Sequence, residues 1–511
     1  MKRIINSSLI YIIAIFAIVG CKSGSNVYVE PGINKALLDE LIEKGNFERA
    51  KQIINSTIIL DNLSAEDKYI LNFELDKMNR IKNEFCLTEE EVLTYIRKYI
   101  PDVTEQQIEE WIESRALEYK KIDNERMFFK KAPHNLFLID KDAHKAYIAV
   151  EGEESETTEQ YLTQYLPKII NSPLIELRKT NKNSIQQNSY LEPVKMRVHI
   201  KMKVMPDALP AGEIVRIWLP YPHKSPKYKE VKLLNVYRSD NANQMNPNGD
   251  RSSDYLLSPE YYNRQSMYVE MLSNGEDTLK VGYDLELTSY NQYFAHLEEH
   301  IKPYNTEDEL YKTYTAERGQ HIIFTKEIKE LTKEVVGDEK EPYEIVKKIW
   351  CYINDNFPWA GARDYSTIPN IPMYVLKNRH GDCGQVSLLF ITMARYAGIP
   401  AKWQSGWMLH PNNVNLHDWA EVYYEGVGWV PVDQSFGYSE GEGEMKYFFM
   451  RGLDAYRYIV NEDYGDYAPL FPAKVYPHSD EVDFQMGEVE WRGGNILNGG
   501  WKCWMDVEYL N

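Results

Sequence analysis

Basic residues are in deficit in this chain: 58 Lys and Arg stand against 77 Asp and Glu, a formal net charge of −19. A polyphosphate would meet repulsion rather than a basic groove, which argues against nucleic acid as a partner. Cysteine is scarce as well, with five residues at positions 21, 86, 351, 383 and 503. So few, so scattered, do not make a disulfide framework; Cys351 and Cys503 can pair only if the fold brings them together. Long hydrophobic runs are missing beyond the first twenty residues. No later segment approaches the roughly 20 apolar residues of a membrane helix, so the body of the chain reads as soluble. A convincing internal repeat is also missing: Asn34 to Asn55 has the pattern of two short antiparallel helices, but no second copy follows.

What is present is ample for packed cores, since 43% of the residues are hydrophobic. The 511 residues suggest about three domains. Tyrosine is abundant at 38, with 11 tryptophans, which suits peptide or glycan clefts and ordinary cores equally. Residues 34–188 read as a mainly helical domain. Thr88-Glu89-Glu90-Glu91 and Thr104-Glu105-Gln106-Gln107 are two capping boxes, predicted to open helices over Val92–Tyr99 and Ile108–Tyr119. Two capped helices with a short link invite a helix-turn-helix reading; the acidic balance favours a packing or substrate-covering module instead. Residues 189–300 change period. Met196, Val198, Ile200, Met202 and Val204 alternate with polar residues, and Glu213–Leu219, Ser266–Leu272 and Leu279–Leu287 are further strands of an antiparallel β-sandwich. Ser239–Arg251 reads as a long loop, and Glu488–Leu510, with its glycine pairs, as a closing hairpin of a domain over 301–511.

The first twenty residues read as a secretory signal: Lys2 and Arg3, an apolar run from Leu9 to Val19, then Gly20 before Cys21. A cysteine directly after the small residue resembles a bacterial lipoprotein signal. That resemblance implies lipid on Cys21, a tether over 21–33, and attachment to a membrane of the bacterial cell envelope.

The most informative residue is Cys383. Val386, Leu389, Phe390, Met393, Ala394 and Ala397 recur at helical spacing after it, and Gly398 and Pro400 supply the stop. At such a helix start the free N–H groups and the positive end of the dipole favour a thiolate over a thiol. Two β-like segments come next. Leu416 to Tyr424 carries His417 near its start, and Gly428 to Asp433 ends on an aspartate, with a hairpin turn between. A thiolate, an imidazole and a carboxylate are the parts of a cysteine acyl-transfer site.

The order and flanks resemble the transglutaminase-like superfamily, carried by Gly381-Asp382-Cys383, His417-Asp418-Trp419, Asp433 and the helix end Ala394 to Ala401. The resemblance is strong from about Tyr343 to Gly437 and weaker over roughly 305–470. It implies a papain/transglutaminase-like α+β core, which with the helical N-terminal region and the antiparallel β-sandwich read above makes a multidomain α+β chain. It implies Cys383, His417 and Asp433 as the catalytic triad, acting on amide bonds of a peptide, protein or glycopeptide. No cofactor or metal is required by this chemistry. The fate of the thioester, hydrolysis or crosslinking, stays open, with hydrolysis favoured; an idle triad in a binding or structural envelope protein is the third reading. Two departures stand out: Asp418 where the family often has alanine, and Gln434 where it often has proline. Trp359 is a candidate second oxyanion donor by its position upstream of the cysteine. Finally, His296-Leu297-Glu298-Glu299-His300 matches a zinc-peptidase pattern, which requires both imidazoles on one helix face; a solvated polar helix end is the preferred reading.

Overall fold

Capped helices and alternating strands sort the chain into two bodies. The computed structural model describes residues 34–60, 63–152, 157–178, 184–239, 255–439, 441–497 and 499–510. The signal segment, Cys21, the tether and nearly all of the 239–251 loop lie outside these residues. The chain divides at Gly152 into two compact units.

In the first unit both capping boxes form, at Thr88 with Glu91 and at Thr104 with Gln107. The helix predicted to reach Tyr119 stops at Glu113. Tyr119–Ile122 instead pairs with Glu125–Phe129, and Phe85–Leu87 adds a third strand. The turn explains this. Asp123 and Asn124 take positive φ, 49° and 75°, the mirror-image turn that matches hairpin twist and that Asp and Asn tolerate. The hairpin delivers Phe128 and Phe129 to a core shared with Ile108, Trp111 and Ile112. Tertiary burial thus overrides the helical reading of this stretch.

The second unit contains three antiparallel sheets. The alternating run becomes Tyr190–Val204, and Leu279–Tyr293 pairs along its length. Tyr228–Arg238, Gly452–Leu453 and Trp501–Leu510 complete that sheet. The facing sheet holds Ile214–Pro220, Ser266–Leu272, Leu256–Leu257, Glu488–Trp491 and Gly494–Asn495. The C-terminal stretch is therefore not one hairpin. Glu488–Trp491 turns back only as far as Gly494–Asn495, and Trp501–Leu510 crosses to the other sheet. Cys503 lies on that last strand and Cys351 in the helix Pro342–Asn356; both are free thiols, as are Cys86 and Cys383.

The third sheet carries the site. Its order is Gly428–Val432, Asn413–Tyr424, Ala401–His410, Arg457–Glu462. The helix Cys383–Tyr396 is buried almost all round. Its Leu388, Leu389, Phe390, Ile391 and Met393 share a core with Ala420, Val422, Val430 and Val432 of the sheet, each large side chain contributing about 1.5–3 kcal/mol on burial. Among the described residues no helix is long and apolar enough to cross a membrane.

Beside this sheet, residues 474–488 form a loop pinned by a buried cluster in which Lys474 and His478 both meet Glu488. Burial alone would push the Glu488 carboxyl up, but Lys474 and then His478 outweigh it and hold it at about 2. A depressed carboxyl contributes stability that is complete above its unfolded value near 4.5 and is lost as pH falls toward about 2. Glu488→Gln is therefore expected to flatten the acid limb of stability over that window by up to about 3 kcal/mol, read from urea midpoints against pH. An acid limb identical to wild type would show that the cluster does not hold the loop.

Candidate active site

The nucleophile is placed by a cap and a short bridge. Gly381 pairs in parallel with Trp359, through Gly381 N–H to Pro358 O at 3.3 Å and Ala360 N–H to Gly381 O at 3.1 Å. Asp382 then caps the helix in a capping box with Gln385. Cys383 is thus the first helical residue, where backbone N–H groups have no partner inside the helix. Gly384 is required next to it. A Cβ there would lie 2.3 Å from the Tyr365 hydroxyl, 2.7 Å from Asp418 Oδ2 and 2.9 Å from the Trp403 ring. The Trp359 side chain, on the strand-like bridge to the residue two before the cysteine, is 50% exposed.

His417 and Asp433 meet on the neighbouring strands. Alternation along Asn413–Tyr424 puts His417 and Trp419 on one face and Asp418 and Ala420 on the other. Asp433 follows the end of Gly428–Val432, and its backbone is held from two sides. Its N–H donates to Phe449 O at 2.8 Å, and its carbonyl accepts from the Trp350 indole at 2.8 Å. Its Oδ2 receives His417 Nε2 at 2.7 Å and Arg457 Nη1 at 2.9 Å, and Oδ1 accepts the Ser435 N–H at 3.0 Å. Arg457, wholly buried, also pairs with Asp454 at 3.0 Å. Its strand comes close because Gly406, opposite His417, has no Cβ to strike Tyr458 O.

Cys383 faces the other residue of the pair. Its Sγ lies 3.4 Å from Asp418 Oδ2, and Gln485 Nε2 donates to Asp418 Oδ1. The strand Gly428–Val432 ends opposite Ala420, so the sulfur sits past that end, beside the 417–418 step. Among the hydrogen bonds of the described residues, none joins Cys383 to His417. The structure therefore brings together His417 with Asp433, and Cys383 with Asp418.

The electrostatics follow from burial. Burial pushes Asp433 up, but His417 and Arg457 outweigh it and hold the carboxyl below its ordinary range. Burial pushes His417 down, Asp433 opposes this, and Arg457 reinforces it. An ionised Asp433 accepting from Nε2 leaves a neutral imidazole with a free lone pair on Nδ1. The thiol departs from the helix-dipole expectation. Burial, then the Asp418 and Asp382 carboxyls, push Cys383 well above an ordinary thiol, and the helix N-terminus does not overcome them.

Several contributors were not readable from local pattern. Arg457 lies 24 positions beyond Asp433, in a segment without motif, and Gln485 lies in an irregular loop. The departure at 434 acquires a role: the Ser387 hydroxyl, one turn along the nucleophile helix, donates to Gln434 Oε1 at 2.9 Å. Trp403, Trp407 and Trp419 are buried in the cores, and Trp429 is half-buried. The zinc pattern does not form: His296 takes φ 55° and Leu297–His300 is a single 3-10 turn, so the two imidazoles do not share an α-helical face. Among the described residues no group of His, Cys, Asp or Glu is arranged to hold a metal ion.

Arg457 gives a direct prediction. Because it helps hold His417 down, Arg457→Met is expected to move the acid limb of kcat/KM to higher pH, whereas Arg457→Lys keeps it in place. Leaving Asp433 and Asp454 without their partner costs about 3–5 kcal/mol, so both variants are compared at a temperature where circular dichroism shows them folded. Superimposable limbs for Arg457→Met and wild type would remove Arg457 from the account.

Comparison with known proteins gives a family match over part of the chain. Residues 329–434 match the family described as the transglutaminase-like superfamily. An uncharacterized protein of Bacillus subtilis (strain 168), YebA, is 21% identical over a stretch covering 34% of this chain and 28% of its own length. The chain thus spans under a third of that relative. Among solved structures, a candidate cysteine protease from Cytophaga hutchinsonii is 12% identical with a TM-score of 0.41, covering 63% of this chain and 92% of its own. A candidate protease from Parabacteroides distasonis ATCC 8503 is 9% identical with a TM-score of 0.19, covering 60% and 68%. From the family match and the helix-start cysteine, the chain carries over residues 329–434 a domain of the transglutaminase-like superfamily.

Proposed function

We propose that this protein is a cysteine-nucleophile enzyme that transfers the acyl group of an amide through a thioester, with water as the usual acceptor. The observation that supports it most is the hydrogen-bonded His417–Asp433 pair one residue along the strand from the group that touches Cys383 Sγ. In the proposed reaction the sulfur leaves Asp418 and attacks the carboxamide carbon, and its proton passes to His417 Nδ1. Asp433 stabilises the imidazolium. The Cys383 N–H donates to the developing oxyanion, with Trp359 as the candidate second donor. His417 returns the proton to the leaving amine. The thioester then meets water, giving a free acid, or an amine, giving a crosslink.

Hydrolysis is favoured because water is in vast excess. An amine competes only where a second site positions it and excludes water. A peptide, protein or glycopeptide is the proposed substrate, and attachment through lipid on Cys21 to an envelope membrane is proposed from the start of the chain alone. The test is incubation with peptide and glycopeptide libraries, with and without millimolar lysine-like amine, read by mass. Free acid as the main product is expected; a dominant isopeptide product would restore a transglutaminase, and no turnover at all would leave a binding protein.

A further inference from the structure

Strand alternation, a missing Cβ and a loop glutamine converge on one side chain that the triad does not use. Asp418 is 3% exposed and faces the nucleophile helix rather than His417's side of the sheet. Its Oδ2 meets the Cys383 sulfur at 3.4 Å. Its other oxygen accepts from Gln485, whose loop is pinned by the Lys474–Glu488–His478 cluster. Gly384 leaves just the room that Asp418 Oδ2 occupies. A carboxyl is thus built against the reacting atom and held from behind, at a position where the family often has alanine.

We infer that Asp418 is a further functional residue of this site, a restraint on the nucleophile that keeps Cys383 a protonated thiol until substrate displaces the sulfur from its carboxyl or the carboxyl is neutralised. This rests on reading Cys383 as the nucleophile. A thiol S–H can donate to a carboxylate oxygen, whereas a thiolate at the same distance is repelled by it. The bond therefore selects the thiol and opposes ionisation. In the reaction the C–S bond forms as the S–H bond breaks, and the proton goes to His417 Nδ1 and not to Asp418.

The groups facing Asp418 set its own charge. Cys383 and Asp382 come from the helix start, and Tyr365 from the preceding 3-10 turn, where its hydroxyl donates to Asp382. Asp480 and Asp483 come from the loop, Asp433 lies behind the strand, and Ser405 pairs across it. Burial, then Asp382, with Asp433 and Asp480 adding, push Asp418 well above an ordinary carboxyl, while Cys383 opposes this. The restraint therefore weakens at a higher pH than it would beside an ordinary aspartate. The arrangement guards a half-buried nucleophile against adventitious electrophiles while leaving the substrate a way to free it.

The experiment is iodoacetamide alkylation against pH, quantified peptide by peptide, on the full chain. Cys86, exposed, serves as the internal reference, and Cys503, half-buried on its strand with a thiol that desolvation pushes up to about 12, reports unfolding. In the wild-type protein Cys383 is expected to alkylate more slowly than Cys86 at pH 7. In Asp418→Asn, which keeps an oxygen for Gln485, the Cys383 profile is expected to fall by about one pH unit or more, roughly a tenfold faster reaction at pH 7. Asp418→Ser must act in the same direction. Cys383 faster than Cys86 in the wild type, or unmoved profiles in variants whose Cys503 stays protected, would overturn the inference. Alkylation reads the thiol and not turnover, so this failure is separate from failure of the enzyme reading, which would appear as turnover retained in Cys383→Ala.

Discussion

Cys383→Ala is expected to lose acyl-transfer activity by at least about 10³-fold, with circular dichroism and melting temperature close to wild type. Two features support both halves of that expectation. The side chain is small and its one hydrogen-bonding contact beyond the helix is to Asp418, so its loss leaves the capping box of Asp382 and Gln385, which starts the helix, intact. Among the described cysteines of the same unit none can replace it: Cys351 packs against the core from its helix, and Cys503 is on the sandwich strand. Serine in place of the cysteine is expected to be nearly as poor, because neutral His417 and a buried carboxyl at 418 offer a hydroxyl little help. A folded alanine variant with near wild-type turnover would end the enzyme reading.

The second large effect is expected from Asp433→Asn, a fall of about 10² or more, mainly in kcat. The Asp433 carboxylate accepts from His417 Nε2 and so keeps Nδ1 free to take the thiol proton. An asparagine can present its amide N–H to Nε2 instead, which reverses the tautomer and removes the charge that stabilises the imidazolium. Arg457 would then face an uncharged partner, so the variant also loses stability. Rates are to be taken on the folded fraction, with the pH profile as the discriminating readout. An unchanged rate and profile would mean that Asp433 is not the third member, and Asp418, already in contact with the sulfur, would take its place.

How far these effects were legible depended on whether the cause was local. The 3.6-residue spacing after Cys383 and the alternation through Met196–Val204 are local, and the helix and strand stand where they pointed. So are the capping boxes at Thr88 and Thr104. The hairpin at Asp123–Asn124 was equally local, a two-residue turn at positive φ, but it adjoined a stretch whose helical pattern masked it. Tyr228–Arg238 went unread because one of its faces is largely exposed and its alternation is weak. The crossing of Trp501–Leu510 to Tyr190–Val204 joins residues too far apart in the chain for any local window to hold.

In the site the same division holds. Alternation alone puts His417 and Asp418 on opposite faces, but which face the nucleophile helix covers is a tertiary fact. Arg457 and Gln485 reach the site through the fold, from segments with no spacing relation to Cys383. The thiolate expectation failed for a physical reason. A helix terminus carries about half a charge, and two neighbouring carboxyls and burial outweigh it.

The central claim is that Cys383 carries the acyl group. The most direct measurement is mass analysis of the enzyme itself, quenched in acid within a single turnover of a peptide substrate found in the library screen, digested and searched for an acyl adduct. An adduct is expected on the peptide containing Cys383, released by hydroxylamine, absent in Cys383→Ala and strongly reduced in His417→Ala, which lacks the base that takes the thiol proton. Full turnover with no adduct on Cys383 at any quench time, or an adduct on another residue that persists in Cys383→Ala, would contradict it.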